Sequence, residues 1–353
     1  MKQIKSEEIT AEPLPIGTET GSLSLYDGLE SPFTEDVIIL SQEHKNQVES
    51  FAISAANAFG NSSGDKEPTG AQSEHGVPAL VVRVDCTING GTVGGYEMED
   101  SPSGQGITDA IHNKVALSGI KHKILEHYAL HTGYIPHIII SEHRHHGTDD
   151  VMIVGSENYS FGLPNLELAK DGSPVIIKAI PGIEASHTPY LHLQDRTLAP
   201  LVTEGDKSYL RRLGLMSPVQ SGLDFLRTTD GSLASQVVKA AVGSMAMGIS
   251  IYLTPEDRAV FGKKGTVSSS RLQRDTLEYA RCEGAMTQEF HPPILLDNNE
   301  QRRHAIMRIF VLLSLDKASN LTTADAIGGC FVARPELIVH GASNAVSGAI
   351  LVE

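Results

Sequence analysis

The sequence predicts a mixed α/β (α+β) protein, and three observations carry that prediction. The first 130 residues hold two stretches of helical apolar spacing around a strand pair, the middle alternates short apolar runs with helix-like segments, and the last third is rich in strand-like runs. A chain of 353 residues fits two or three lobes at roughly 150 residues per domain.

Residues 1–25 are polar, carry Pro and Gly, and read as a leader draped over the fold. Apolar residues recur at helical spacing over 47–59 (QVESFAISAANAF), so a helix is expected there. Residues 61–76 (NSSGDKEPTGAQSEHG) are a loop by composition. Residues 79–85 read as a strand, Asn89, Gly90 and Gly91 as its turn, and 93–99 as the antiparallel return. SPSGQG at 101–106 ends the pair, and 107–130 follows as a helix with one Gly interruption.

A second block starts at Ile135, where PHIIIS, DVMIVGS and PVIIKAI read as buried strands of a small α/β layer with a parallel sheet. Residues 208–215 read as a short helix. From about 216 onwards, 236–252 is strand, Gly-bearing loop, strand. Residues 284–294 are a strand stopped by Pro292 and Pro293. HAIMRIFVLLSL at 304–315, CFVARPELIVHG and the terminal AVSGAILVE complete a β-rich lobe.

Composition narrows the function. Hydrophobic residues make up 40% and charged residues 20%, which fits a folded chain and not a disordered one. Forty-three acidic against 28 basic residues give a net charge of −15, so phosphate backbones are repelled and nucleic acid is not an expected partner. Cys86, Cys282 and Cys330 lie far apart and read as thiols in a reducing compartment. No signal-peptide pattern and no apolar run of membrane-spanning length is visible, so the expected location is the cytoplasm.

Several residues can carry chemistry. Lys239 ends a β-branched strand ahead of a small-residue loop containing Gly243, Ser244 and Gly248; it suits a phosphate contact, and equally a surface lysine before a hairpin. Asp206 and Lys207 open the helix at 208–215, where ordinary capping is the other reading. Gln288 and Glu289 end a strand beside the Pro pair, where a hinge could read an adenine amino edge. Asp85 lies near the end of one strand, while Glu97 and Glu99, two apart on the partner strand, share a face. Three carboxylates there suit Mg²⁺, with Asp100 able to replace one glutamate and a solvated hairpin face as the alternative. Arg308 and Arg334 lie on strand-like runs and can clamp phosphate or pair with acids. His143, His145 and His146 lack the spacing of a zinc helix and read as a polar loop; a zinc site there is the weakest reading.

The order of these motifs resembles the ATP-grasp superfamily. Asp-Lys before a short helix, Val-Val-Lys with its loop, a Gln-Glu hinge and strand arginines follow one another in the superfamily's sequence. The acidic strand pair, however, comes first. RVDCTINGG and YEMEDSPSG, with Pro102-Ser103-Gly104, resemble the circularly permuted ATP-grasp proteins related to the glutathionylspermidine synthetase ligase domain. The resemblance spans about residues 78–350. Glu99 stands where the family has Asn, and HGASNAVSG at 340–348 lacks the family's Lys.

That resemblance implies a permuted ATP-grasp fold with three parts. Residues 1–134 would bear the metal-binding strand pair, 135–215 a pre-ATP-grasp-like α/β domain, and 216–353 the nucleotide-binding lobes. It implies ATP and Mg²⁺ as cofactors and ligation of a small-molecule carboxylate to an amine or thiol through an acyl phosphate. Asp85, Glu97 and Glu99 would hold Mg²⁺; Lys207, Lys239, Ser244, Gln288, Glu289 and Asn344 would contact the nucleotide; Arg308 and Arg334 would be catalytic. Gly341 and Ser343 join Asn344 as contacts at the phosphate end. A non-catalytic nucleotide-binding protein is the alternative, no membrane is expected as partner, and a homo-oligomer is allowed.

Overall fold

The computed structural model describes residues 2–17, 21–26, 29–62, 81–99, 104–115, 117–120, 122–124, 126–127, 140–141, 166–167, 225–240, 248–282, 285–297, 301–315, 321–339 and 345–353. In chain order the elements are β1 (Gln3–Lys5), β2 (Leu14–Pro15), β3 (Gly21–Tyr26), β4 (Leu29–Leu40), α1 (Gln42–Ser62), β5 (Val81–Asn89), β6 (Thr92–Glu99) and α2 (Gln105–Lys114). Then come β7 (Ile140–Ser141), β8 (Leu166–Glu167), β9 (Gln236–Ala240), β10 (Ile249–Tyr252), α3 (Pro255–Phe261), α4 (Ser269–Cys282), β11 (Ala285–Glu289), β12 (Ile294–Asp297), β13 (Arg302–Leu315), β14 (Leu321–Arg334) and β15 (Val346–Val352).

Most strands join one large mixed sheet in the order β1-β4-β15-β14-β13-β12-β2, with β3 on β4 and the β5–β6 hairpin on β13. The β1–β4, β4–β15 and β12–β2 pairs are parallel and the others antiparallel. One edge of β13 is shared: residues 302–305 pair with β12 and 307–312 with β5. The first and last thirds of the chain therefore build one sheet. β10-β9-β11 form a smaller antiparallel sheet, and the chain leaves β11 through His291, Pro292 and Pro293 to enter the large sheet as β12.

β13 shows why these residues make a central strand. Ala305, Met307, Ile309, Val311 and Leu313 alternate onto one face and lie in the main core with Val82, Val84, Phe331 and Ile350. Val48, Phe51 and Ala52 of α1 cover that face. The opposite face packs Cys330, Val332 and Ala349 against Ile111 and Val115, at α2 and its C-terminus. A helix thus covers each side of the sheet.

The structure departs from the sequence reading in places. Residues 1–25 are not merely draped, since β1 and β2 add to the sheet by parallel pairing and β3 pairs with β4. The 107–130 helix begins at Gln105 and stops at Lys114; helical residues resume at Ile120, after Gly119. In the middle block the described pair, β7 with β8, is antiparallel, and β8 lies outside the three runs read as strands. DVMIVGS, PVIIKAI and the 208–215 helix lie outside the described residues, as does most of PHIIIS. Among the described residues, no helix is long and apolar enough to cross a membrane.

Candidate functional site

The β5–β6 hairpin turns through Gly90 and Gly91, both at positive φ (57° and 85°), the backbone that a two-residue hairpin turn requires. Alternation along β5 sends Val82, Val84, Cys86 and Ile88 into the main core and Arg83 and Asp85 to the other face. On β6 the pairing shifts by one residue: Cys86 faces Gly95 but Asp85 faces Glu97, leaving Tyr96 as the extra residue of a β-bulge. Beyond the bulge, Glu97 lies opposite Asp85 and Glu99 opposite Arg83. Asp85 also lies opposite Arg308 of β13.

This row of charges is largely buried. Arg83 and Asp85 are each 2% exposed, and the guanidinium donates from Nε to Oδ1 at 2.6 Å and from Nη2 to Oδ2 at 3.0 Å. Arg308 Nε lies 3.6 Å from Asp85 Oδ2 and has no hydrogen-bond partner. Glu97 is half-buried. Cys330, opposite Arg308, has its thiol pushed up by burial. Burial also pushes the Cys86 thiol up, with the Asp85 charge adding to it.

A second group meets the hairpin at the bulge. Lys239, 6% exposed, donates from Nζ to the Tyr96 carbonyl at 2.9 Å. Gln288 Nε2 donates to the Gly95 and Tyr96 carbonyls at 3.2 and 3.3 Å, and its Oε1 is buried without a partner. Tyr96 Oη donates to the His291 carbonyl at 3.0 Å. The His291 ring lies where a Cβ on Gly94 would be, 2.8 Å from its Cγ, so a glycine is needed for the small sheet to approach β6. Burial, helped by the Lys239 charge, pushes the His291 imidazole down to about 4. Burial drives the Tyr96 phenol far above its ordinary value.

The structure brings Lys239, Gln288, Asp85, Glu97 and Arg308 to one hairpin and the strand beside it. It does not bring Arg334 there. Arg334 lies opposite His304, four residues along β13 from Arg308, with Nη2 3.5 Å from Glu336, which also pairs with Lys264. Glu289 is exposed at the end of β11. Glu99 lies on β6 opposite Arg83. Lys207, Ser244 and Asn344 lie outside the described residues, as do Asp100, Pro102, Ser103, Gly341, Ser343, His143, His145 and His146.

Asp85 does not fit an open Mg²⁺ ligand as it stands, because guanidinium groups face both its oxygens. Among the described residues, no group of three His, Cys, Asp or Glu side chains is placed to hold a metal ion. Sequence reasoning missed Arg83, Tyr96 and His291. For Arg83 the signal was present: an opposite charge two residues from Asp85 on a strand whose alternate residues are all apolar. No protein-family model matches the chain, and no curated protein matches it.

Proposed function

We propose that the protein is an ATP- and Mg²⁺-dependent ligase of permuted ATP-grasp type that joins a small-molecule carboxylate to an amine or thiol. One observation carries this reading. The Lys239 ammonium, from the distal half of the sequence, lies on the Tyr96 carbonyl, one residue from Glu97 and its partner Asp85. A cation from β9 and the acid row of β5–β6 thus form one neighbourhood, as a triphosphate site requires. In the reaction a substrate carboxylate oxygen attacks the terminal phosphorus of ATP, ADP leaves, and the amine displaces phosphate from the acyl phosphate. Lys239 and Arg308 would stabilise the transferred charge, and Gln288 would face the base. Glu97 and Glu99 would hold Mg²⁺, which neutralises phosphate charge when bound. The reading extends to Lys207, Ser244, Asn344 and the catalytic role of Arg334 by resemblance alone.

The test is a melting curve with Mg-ATP, followed by ADP release over a panel of carboxylates and amines. Mg-ATP at 100 times its Kd stabilises the fold by about 2.7 kcal/mol. Lys239→Ala should remove most of that shift, and an unchanged shift removes Lys239 from the site. A second reading, nucleotide binding without turnover, is favoured by the arginines that engage Asp85. Nucleotide-dependent stabilisation with no ADP release across the panel would decide for it.

A further inference from the structure

His112 lies in the last turn of α2 and is 1% exposed. Its Nδ1 is 3.1 Å from the Ser118 carbonyl and its Nε2 is 2.8 Å from the Gly329 carbonyl. Both partners are carbonyl oxygens, which only accept. A neutral imidazole carries one N–H and can serve one of them; the imidazolium carries two and serves both. We propose that His112 is a proton-operated latch, which in its imidazolium form ties the C-terminal end of α2 and the Ser118 carbonyl to β14, and which loses one of its two bonds on deprotonation.

The surroundings suit a cation. The last turn of a helix presents carbonyls that favour positive charge, and the His112 carbonyl itself accepts from Val115 and Leu117. Asp109, one turn earlier on α2, accepts from Ile120 N at 2.5 Å and sits beside Gly119, so a carboxylate flanks the same turn. Opposing charges come from three elements. Lys114 is exposed on α2, Lys123 reaches the Ile327 carbonyl at 3.2 Å from the helical residues after Ile120, and Arg308 of β13 acts across Cys330. Ile120 and the Ile350 carbonyl of β15 approach Gly328, whose missing side chain leaves room for the His112 ring. Thr108, on the first turn of the same helix, hydrogen-bonds Cys330, the residue opposite Arg308. The latch therefore bears on the helix that packs on β14 and β15, one strand from Arg308.

Free histidine changes charge between about pH 5 and 8, so the latch is tested across that range. The expected result is that hydrogen exchange of the 105–120 amides, corrected for intrinsic rate, speeds up about tenfold from about pH 5 to about pH 8, the loss of one charge-assisted bond. His112→Gln, which cannot gain a proton, should remove that pH dependence while leaving exchange elsewhere in the sheet unchanged. The pH titration of the ¹⁵N-histidine-labelled wild-type chain does not depend on the variant folding. Two protonated ring nitrogens for His112 at about pH 5 and one at about pH 8 support the latch. A ring that is neutral throughout, or exchange in 105–120 with the same pH profile in wild type and variant, overturns it.

Discussion

Replacing Arg83 by Met tests the charge row directly. Met is close to Arg in length and leaves no large cavity, so the measured loss reports charge and hydrogen bonds. Arg83 holds Asp85 at 2.6 and 3.0 Å with both residues 2% exposed. A unit charge pair about 4 Å apart at an effective dielectric near 20 is worth about 4 kcal/mol, in line with the 3–5 kcal/mol that breaking a buried pair typically costs. Arg308 does not replace it, being 3.6 Å from Asp85 and 18% exposed at its side chain. Arg83→Met should therefore cost about 4 kcal/mol, seen as a fall in Tm of about 5 °C for a chain of this length. Arg83→Met with Asp85→Leu should recover most of the loss, because the fully buried Asp85 carboxylate is then not left without its hydrogen-bonded partner, and Arg308 keeps partial access to solvent. Urea unfolding at neutral pH measures all three proteins. A single variant within about 1 kcal/mol of wild type, or a double variant as unstable as the single, refutes the reasoning.

Three further outcomes are expected. Gly94→Ala puts a Cβ 2.8 Å from the His291 ring and should cost about 1–3 kcal/mol by urea unfolding, whereas an unchanged midpoint would show that the small sheet does not press on β6. His291 is pushed from 6.5 to about 4, so the unfolded chain binds more protons below pH 6.5 and stability falls as pH drops towards 4, by up to about 3 kcal/mol; His291→Gln should flatten that difference. Burial raises the thiols of Cys86 and Cys330, so neither should react with a disulfide reagent at neutral pH until denaturant opens the fold, as peptide mapping would show.

Periodicity made part of this fold legible. The β5–β6 hairpin, its turn, α1 and the long strand β13 follow from alternation, from Asn89-Gly90-Gly91 and from helical spacing, whereas β14 runs over 321–334 and only its last five residues fall in the run read as strand-like at 330–341. β1 and β2 were not legible, because strands of three and two residues held by pairing to distant β4 and β12 carry no pattern of their own. α3 carries a start signal in the sequence: Thr254 accepts from Asp257 N and Pro255 takes the first helical position. In the site, Lys239 and Asp85 are visible as residue types on strands. Tyr96 and His291 are not, because their roles come from a bulge and a close approach that only tertiary packing defines.

The bulge at Tyr96 fixes both halves of the candidate site. With the pairing of Cys86 to Gly95 continued regularly, Asp85 would face Tyr96 and Val84 would face Glu97. Glu97 would then point into the main core beside Val84, and Glu99 would follow it onto the same apolar face. One extra residue instead turns Met98 to the core and places Glu97 on the face of Arg83 and Asp85. The same irregularity leaves the Tyr96 carbonyl for Lys239 and Gln288. Those two side chains satisfy the open edge of β6, a structural task as well as a candidate ligand contact. An ammonium has three N–H donors, so the two tasks do not exclude each other. The acid row and the cation that meets it are set by a single insertion, and the position of the small sheet on the hairpin is coupled to the arrangement of charge that any phosphate-bearing ligand would meet.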